Sequence, residues 1–334
     1  MEPACPDSLV LRKRIKGGRT NRCYRGVFTN TSPGKEQEEA TTVPVFAKFN
    51  DNHQECILRK EADMLEFLQN HVPVPRVLHV SDHCLILEYL QMDNSNKHIP
   101  QLAKVIGSLH QATVTDRCGF HMDNFHGPIA VNNTWDTNWV TFFRNSRWNP
   151  LCKELAIRGT YSGDGHDAIL ALTEEVSAKM DLFFPTPPRL CLLHGDLHHG
   201  NWGYCAAASA SASSCGTSGL PSSVPEPADN KGNRDGNGDD GRETAGAVYV
   251  FDPLPLYGHN EFDLASLDCF VMPKDAFLEV YHRYMPREEV MFAERRMLYH
   301  SFFRLIGFLL TGDEEHLLKA HGYLTTLALT TGTN

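Results

Sequence analysis

The chain has 334 residues, 41% of them hydrophobic and 22% charged, which is too long for one simple core and suits a two-lobed unit. The formal net charge of −10 excludes bulk attraction to nucleic acid or anionic lipid. One local basic cluster is interpreted as the solvated face of a strand and loop, with a nucleic-acid patch as the alternative. It comprises Arg12, Lys13, Arg14, Lys16, Arg19 and Arg22.

The cysteines and the lack of long apolar segments indicate a reducing compartment. Ten cysteines are scattered without a CxxC pair or a zinc-ligand spacing. The N-terminus lacks the apolar core of a secretory signal, and no apolar run approaches the length of a membrane span. We therefore expect a cytoplasmic protein with no membrane partner. Cys23 lies in a candidate nucleotide loop, where a redox-sensitive thiol and a semi-buried small residue are both possible.

The first ninety residues predict a small antiparallel sheet with one inserted helix. Residues 11–30 indicate strand, loop and strand, and PVFAKF at 44–49 alternates like a half-buried strand. A helix is predicted over 55–70 because its apolar residues recur at helical spacing. VPVP at 72–75 ends that helix, and CLILEYL at 84–90 is a short apolar strand.

Helical patterns dominate from residue 99 onward, and two short apolar strands interrupt them. Helices are predicted at 100–112, 137–147 and 167–183 and along the tail 274–329. The strands are predicted at 191–193 and 248–251. Residues 205–247 are rich in Ser, Gly, Ala, Asp and Pro and cannot bury enough surface to offset ordering entropy. This stretch is predicted to be a disordered insertion.

A lysine near the end of the third strand is a candidate phosphate ligand. Lys48 supplies a point charge for the α- and β-phosphates of a nucleotide, and Glu61 in the predicted helix can hold it in place. The alternative is a surface lysine that ends an edge strand. Gly17, Gly18 and Thr20 lie between the first two strands, where glycines let backbone amides approach phosphates. Ordinary hairpins use such turns as well.

The segment HGDLHHGN at 194–201 carries the strongest chemical signal. An aspartate five residues before an asparagine, directly after a strand, has the spacing of a kinase catalytic loop. Asp196 would accept the hydroxyl proton, Asn201 would ligate Mg²⁺, and His194 would form hydrogen bonds behind the loop. The alternatives are a polar turn, or a metal site at His198 and His199. Adjacent histidines point in different directions, and no further ligands follow at zinc spacing.

Asp252 follows the strand VYVF at the position where phosphoryl transfer places its main Mg²⁺ ligand. Asp252 and Asn201 would together suffice to bind Mg²⁺, because this ion prefers few protein carboxylates together with phosphate oxygens and water. The alternative is an aspartate that caps a turn before Pro253. The sequence contains neither GxGxxG nor GxxxxGK[ST], so Rossmann and P-loop NTPase sites are excluded.

The order of the candidate site elements along the chain predicts a kinase fold, although no single element does so alone. The elements follow one another in the order found in kinases. This order is a glycine loop, a lysine on a strand, a glutamate on a helix, an apolar hinge, the HGDxxxxN segment and an aspartate after a strand. We expect an α+β, two-lobed, protein-kinase-like fold that uses ATP and Mg²⁺. The N-lobe would span 1–90 and bind nucleotide. The C-lobe would span 91–334, with the insertion 205–247 inside it.

The sequence resembles the fructosamine-3-kinase (ketosamine kinase) family, which belongs with the aminoglycoside and choline kinases. The resemblance covers most of the chain and rests on HGDLHHGN at 194–201 followed by FDPLPLYGHNEFDLASL at 251–267. YGHNEFDLA at 257–265 is its most family-specific part. Other matching stretches are IKGGRTNRCYRG, VFAKFN, KEADMLEFL with VPVPRVL, LILEYL and NFHGPIAVNNTWDTNWVTFFRNSRW.

The resemblance implies ATP-dependent phosphorylation of the sugar 3-hydroxyl of fructosamine or ribulosamine on lysine, after which the adduct is destabilised and the amine is recovered. It implies an adenine hinge formed largely by backbone groups of Glu88, Tyr89 and Leu90. It also implies that His198, Trp135 and Glu261 lie near the substrate. The family has tryptophan where this chain has His198. Glu261 and Asp263 would order the loop after Asp252 or, alternatively, cap a helix.

The implied partner is a ketosamine, free or on a glycated protein, with no nucleic acid and with a monomer or homodimer as the assembly. Two alternatives stay open. One is a kinase for another small hydroxyl substrate, of the aminoglycoside or choline type. The other is a nucleotide-binding pseudokinase that serves as an interaction module. A pseudokinase is expected to lack Lys48, Asp196, Asn201 or Asp252, and all four are present.

Overall fold

The protein was analysed as a computed structural model that describes residues 8–15, 21–30, 41–50, 57–126, 129–158, 164–206, 246–269 and 274–331. The described chain divides into two compact units. The first unit combines Met1–Ser108 with Trp202–Asp252, and the second combines Leu109–Asn201 with Pro253–Asn334. The predicted division after residue 90 stays a prediction. Gly17, Gly18, Thr20 and residues 207–245 of the predicted insertion lie outside the described residues.

A five-stranded antiparallel sheet forms most of the first unit. Its order is β1-β2-β3-β5-β4, with β1 at Leu9–Ile15, β2 at Arg22–Asn30, β3 at Thr41–Phe49, β4 at Val77–Val80 and β5 at Cys84–Glu88. Alternate residues of a strand share one face, and Val45, Ala47 and Phe49 of β3 are fully buried. They pack with Cys84 and Ile86 of β5 in one apolar cluster.

The helix of the first unit is α1 at Ile57–Leu68, which ends two residues before the predicted end at residue 70. Residues 55 and 56 of the predicted helix lie outside the described residues. Leu58, Ala62, Leu65 and Leu68 recur every three or four residues and are buried, so they form one stripe. This stripe faces β4 and β5. The first ninety residues therefore have the predicted order β-β-β-α-β-β.

A second sheet of the first unit contains the two ends of the predicted insertion. Its order is β11-β10-β6, with β6 at Met92–Asp93, β10 at Trp202–Cys205 and β11 at Ala247–Val250. Cys205 pairs directly with Ala247, so both are strand residues and not parts of an irregular segment. This pairing brings the ends of the intervening chain together, a geometry in which extra loop length adds little closure entropy.

The second unit is mainly helical. Its strands are β7 at Asn124–His126, β8 at Ile129–Val131, β9 at Leu190–Leu193 and β12 at Leu256–His259. Its helices are α3 at Trp139–Phe143, α4 at Asn149–Arg158, α5 at Asp164–Lys179, α6 at Glu261–Cys269, α7 at Lys274–Tyr281, α8 at Phe292–Thr311 and α9 at Glu314–Leu329. A π-helical turn at Arg144–Trp148 joins α3 to α4. Helix α2, Ile99–Ala112, contributes its last turn to this unit.

An aromatic core fixes these helices to one another. Phe143 of α3 and Phe262 of α6 contact Tyr299 of α8 edge-on, with ring centroids 5.3 and 5.5 Å apart. Trp139 is buried beside them, and its indole Nε1 donates a hydrogen bond of 2.8 Å to the Tyr299 hydroxyl. Because its polar atom is satisfied, Trp139 can be fully buried.

Replacing Gly258 by alanine tests how rigid this core is. A Cβ atom at Gly258 would lie 2.5 Å from Trp139 Cζ3 and 3.0 Å from Leu193 Cδ1. The Trp139 ring is held by its hydrogen bond and its aromatic neighbours, so it cannot move away at little cost. We expect Gly258→Ala to lower the free energy of unfolding by about 1–3 kcal/mol, measured by urea denaturation.

The matched control is Gly322→Ala in α9, where a new Cβ would meet no atom within 4 Å. Alanine is favoured over glycine inside a helix, so this variant should gain about 0.5–1 kcal/mol. Equal stability of the Gly258→Ala protein and the wild type would show that the Trp139 core yields to the added methyl group.

Candidate active site

The first unit contains a buried ion cluster formed by Lys48, Glu61 and Asp252, called the lysine cluster below. Lys48 lies on β3, and its Nζ atom is 2.6 Å from Glu61 Oε1 on α1. The same amine contacts Asp252 Oδ1. The Lys48 side chain is buried, whereas 44% of the Asp252 side chain is exposed. The lysine cluster therefore has one carboxylate inside the protein and one at its surface.

Charge and burial compete at the lysine cluster. Burial alone lowers the pKa of Lys48, but Asp252 and Glu61 outweigh it, so the pKa is raised above its ordinary value and the amine is charged. Burial raises the pKa of Glu61, and repulsion from Asp252 adds to that rise while Lys48 opposes it. Lys48 thus pairs with both carboxylates, and burial together with Asp252 favours the protonated form of Glu61.

Asp252 adopts a strained backbone conformation. Its φ angle is +54°, in the left-handed region that residues other than glycine rarely occupy. Aspartate tolerates this region better than most residues, and such strain is often stored at functional positions. Asp252 comes two residues after Val250, the ladder partner of Trp202 in the second sheet.

The predicted hinge residues Glu88, Tyr89 and Leu90 lie at the end of β5 and directly after it. The Glu88 carboxylate accepts hydrogen bonds from the Arg76 backbone N–H, at 2.9 Å, and from Arg76 Nε, at 3.1 Å. The Tyr89 N–H donates to the Pro44 carbonyl at 3.2 Å. Arg25 lies over the Tyr89 ring, 4.3 Å from its centroid. The Glu88 side chain is thus engaged by the protein itself, and the hinge role of Glu88, Tyr89 and Leu90 stays a prediction.

The second unit contains residues 194–201, called the HGD segment below, which follows β9. The buried Asp263 carboxylate of α6 accepts hydrogen bonds from the backbone N–H groups of His194, at 2.7 Å, and Gly195, at 2.8 Å. Gly195 has φ +83°, and a Cβ there would lie 1.9 Å from the Leu254 carbonyl oxygen. Only glycine fits this position, so the residue before Asp196 is fixed both by its shape and by its hydrogen bond.

Within the HGD segment the side chain of Asn201 is oriented by Asp196. Asn201 Nδ2 donates to the Asp196 carbonyl, at 2.9 Å, and lies 3.3 Å from Asp196 Oδ2. Since the amide nitrogen faces Asp196, the amide oxygen is the end that can ligate a cation. His194 Nδ1 accepts the Asp196 N–H at 3.3 Å, so this histidine acts behind the turn.

A chain of buried polar groups supports Asp263 from the other side. His110 Nε2 is 3.3 Å from Asp263 Oδ2, and His110 Nδ1 is 2.7 Å from the Tyr281 hydroxyl. Asn260 Nδ2 donates to the same hydroxyl at 2.9 Å. If His110 Nε2–H donates to the carboxylate, Tyr281 donates to His110 Nδ1 and every group in the chain has a partner.

Two predicted substrate residues have partners inside the second unit. The Glu261 carboxylate accepts two hydrogen bonds of 2.8 Å from the Arg295 guanidinium, and both side chains are buried. Burial raises the pKa of Glu261 although Arg295 opposes that rise. The Trp135 ring packs under Arg117, 4.0 Å from its centroid, and beside Tyr257. Substrate contact by Glu261 and Trp135 stays a prediction.

The structure adds one residue that the sequence analysis did not single out. His126 on β7 lies with Nε2 3.8 Å from Asp196 Oδ1, and its ring packs edge-on against Phe302. Burial, with help from Arg147 and His198, lowers the pKa of His126 to about 3, so its imidazole is neutral. His126 stands seventy positions before Asp196, and no local spacing connects the two.

Comparison with known proteins identifies the chain. A sequence model of the fructosamine kinase family matches residues 7–327. The chain belongs to the fructosamine kinase family. It is therefore an ATP-dependent kinase of a family that acts on ketosamines.

Relatives of this fructosamine kinase family member share about a quarter of its residues. A protein of Pasteurella multocida named a probable ketoamine kinase is 28% identical over 277 residues, 78% of this chain and 77% of its own. A chloroplastic protein-ribulosamine 3-kinase of Arabidopsis thaliana is 25% identical over 236 residues, 69% of this chain and 57% of its own.

The fold is shared with a solved structure. A crystal structure of a protein assigned as a fructosamine-3-kinase from Thermobifida fusca superposes with a TM-score of 0.69 at 20% identity, covering 96% of this chain and 94% of its own. The predicted α+β, two-lobed, protein-kinase-like fold is thereby confirmed. In the part of the chain that the structure describes, no helix has the length and apolar character needed to cross a membrane.

The role of Asp263 in this kinase differs in detail from the sequence-based expectation. The sequence analysis expected Asp263 and Glu261 either to order the loop that follows Asp252 or to cap a helix. The structure shows the Asp263 carboxylate holding the HGD segment instead, whereas Glu261 pairs with Arg295. The sequence signal was present as two acidic residues in the first turn of α6, but the identity of their partners required the tertiary structure.

Replacing Asp263 by asparagine tests the support of the HGD segment. One carboxylate oxygen becomes an NH₂ group that faces a backbone N–H, so one buried donor loses its acceptor. We expect the free energy of unfolding to fall by about 1–3 kcal/mol in urea denaturation, together with a lower kcat. The exposed Asp116→Asn variant is the control and should stay within about 0.5 kcal/mol of wild type. Matching stabilities of the two variants would contradict the proposed support.

Proposed function

We propose that this chain phosphorylates the sugar 3-hydroxyl of ketosamines on lysine, with ATP as donor and Asp196 as the general base. The supporting observation is the double fixation of Asp196. The amides of His194 and Gly195, directly before it, are held by Asp263. Its own carbonyl and carboxylate are contacted by Asn201. A base held in this way can orient the hydroxyl and accept its proton as the O–P bond forms.

We propose that Asn201 and Asp252 hold Mg²⁺. The fit rests on their chemistry, because an amide oxygen and a partly exposed carboxylate are the hard oxygen ligands that Mg²⁺ prefers. When bound, the ion would neutralise charge that develops on the transferred phosphoryl group. Among the described residues no group of three or more His, Cys, Asp or Glu side chains forms a metal site.

We propose that the lysine cluster binds the nucleotide phosphates. Lys48 is charged and buried, and Glu61 fixes its position from α1. Polyphosphate carries negative charge that competes with Asp252 for the Lys48 amine. With nucleotide on Lys48, Asp252 would be available as one of the residues that hold Mg²⁺.

We propose that the transfer leads to loss of the sugar from the amine. Phosphate at the 3-position of a ketosamine destabilises the adduct, so the amine is recovered and the lysine is deglycated. We propose that the ketosamine is either free or attached to a glycated protein, and that the enzyme acts in the cytoplasm. The proposed assembly is a monomer or a homodimer.

A panel of acceptors tests the proposed substrate. Phosphate transfer from ATP is measured with fructosyl-lysine, ribulosyl-lysine, choline and an aminoglycoside. We expect transfer to at least one of the two ketosamines, because the family acts on this class. Transfer to choline or the aminoglycoside alone would keep the mechanism and overturn the substrate. Bound ATP without transfer to any acceptor would favour a pseudokinase that serves as an interaction module.

The Asp196→Asn variant tests the base. The amide keeps the size of the side chain but cannot accept the hydroxyl proton, so kcat should fall about 10²- to 10⁴-fold. Calorimetric affinity for ATP–Mg²⁺ and the melting temperature should both stay near wild type, because neither depends on proton transfer. The Asp116→Asn variant serves as the control for activity. Turnover like that of wild type in Asp196→Asn would remove Asp196 from the mechanism.

A further inference from the structure

The Asp196 carboxylate has a histidine on each side, and the two histidines differ in exposure. His126 Nε2 lies 3.8 Å from Asp196 Oδ1, and its side chain is 8% exposed. His198 Nε2 lies 3.9 Å from Asp196 Oδ2, and its side chain is 37% exposed. Oδ1 therefore lies beside the buried histidine, whereas Oδ2 lies between the more exposed histidine and Asn201 Nδ2, which is 3.3 Å away. A substrate hydroxyl that reaches Asp196 from solvent comes to Oδ2 and hence to the neighbourhood of His198.

A hydrogen bond inside the HGD segment fixes the chemical character of His198. The Gly200 backbone N–H donates to His198 Nδ1 at 2.9 Å. A backbone N–H can only donate, so Nδ1 is an acceptor and the neutral imidazole carries its proton on Nε2. The atom that faces Asp196 is thus an N–H donor. Protonation of Nδ1 would break the Gly200 bond, which holds the ring in this tautomer and orientation.

The separation between His198 and Asp196 suits a pair of oxygen atoms. At 3.9 Å, Nε2 and Oδ2 are too far apart for a direct hydrogen bond. Two oxygens on neighbouring carbons can lie side by side above this pair, each about 2.7–2.9 Å from its own partner. The first would be the reacting hydroxyl, which donates to Oδ2. The second would accept the Nε2–H, which leaves the lone pairs of the reacting oxygen available for phosphorus.

We propose that His198 is a specificity-determining residue that binds the oxygen next to the phosphorylated hydroxyl. The substrate class it selects is an alcohol with an oxygen on a neighbouring carbon, as in sugars and their derivatives. An alcohol whose neighbouring carbon carries a quaternary ammonium group offers no acceptor to the N–H. The inference rests on the proposed function in one respect, namely that Asp196 is the base that receives the hydroxyl proton.

The test crosses enzyme variants with substrate analogues. The variants are His198→Phe, which keeps a flat ring without a donor, and His198→Gln, which keeps an N–H donor at similar reach. The substrates are fructosyl-lysine and two deoxy analogues, each lacking the oxygen on one of the two carbons that flank the 3-hydroxyl. Phosphate transfer gives kcat and KM for every combination. Ratios between substrates are taken within one variant, so differences in the amount of folded protein cancel.

The expected pattern is specific. His198→Phe lowers kcat/KM for fructosyl-lysine about tenfold, the value of one hydrogen bond to a neutral group. For one of the deoxy analogues the same variant and the wild type differ by less than about twofold, because the acceptor is already gone. For the other analogue the tenfold loss persists. His198→Gln recovers most of the activity with fructosyl-lysine. The same phenylalanine substitution at the neighbouring exposed His199 produces no such dependence on the analogue.

Failure of the inference is distinguishable from failure of the proposed function. Wild-type enzyme that transfers no phosphate to fructosyl-lysine or ribulosyl-lysine overturns the proposed function, and the inference with it. Active wild-type enzyme for which His198→Phe lowers kcat/KM equally with all three substrates overturns the inference alone, since His198 would then be a structural part of the HGD segment. No effect of His198→Phe on any substrate overturns it as well.

Discussion

A carboxylate buried away from solvent has to receive hydrogen bonds from inside the protein, and Asp263 meets this requirement with the backbone of the HGD segment. The cost of leaving Asp263 without donors forces the amides of His194 and Gly195 toward α6. His110 adds a third donor and connects the carboxylate to Tyr281. The position of the proposed base therefore depends on helices far from it in sequence, and not on the turn alone.

The lysine cluster obeys a different constraint, because two carboxylates share one buried amine. One buried amine faces two carboxylates, and the partly exposed one, Asp252, is held in a strained left-handed conformation. Such an arrangement is stable only while Lys48 is shared. In the proposed function Lys48 would bind the phosphates of the nucleotide, and Asp252 would be one of the residues that hold Mg²⁺.

Local patterns in the sequence were enough to predict much of the fold and part of the candidate site. Strand alternation and the helical stripe gave the order of the first ninety residues, and the thirteen-residue step from Lys48 to Glu61 gave an ion pair that the structure contains. The contact of His126 with Asp196 and the pairing of Glu261 with Arg295 could not be predicted. Each joins elements separated by more than thirty residues, and the sequence alone offers no distance between them.

The segment 257–265, on which the predicted family resemblance most depends, is held in the second unit by contacts with several elements. Gly258 leaves room for the Trp139 ring, and a bond of 2.9 Å joins His259 Nδ1 to the Tyr299 hydroxyl. The next polar residues each hold a different element, with Asn260 bound to Tyr281, Glu261 to Arg295, and Asp263 to His194 and Gly195. Every one of these contacts lies within the second unit, and most of the groups are buried. Through these contacts the packing of α7 and α8 fixes the position of Asp196, the proposed base.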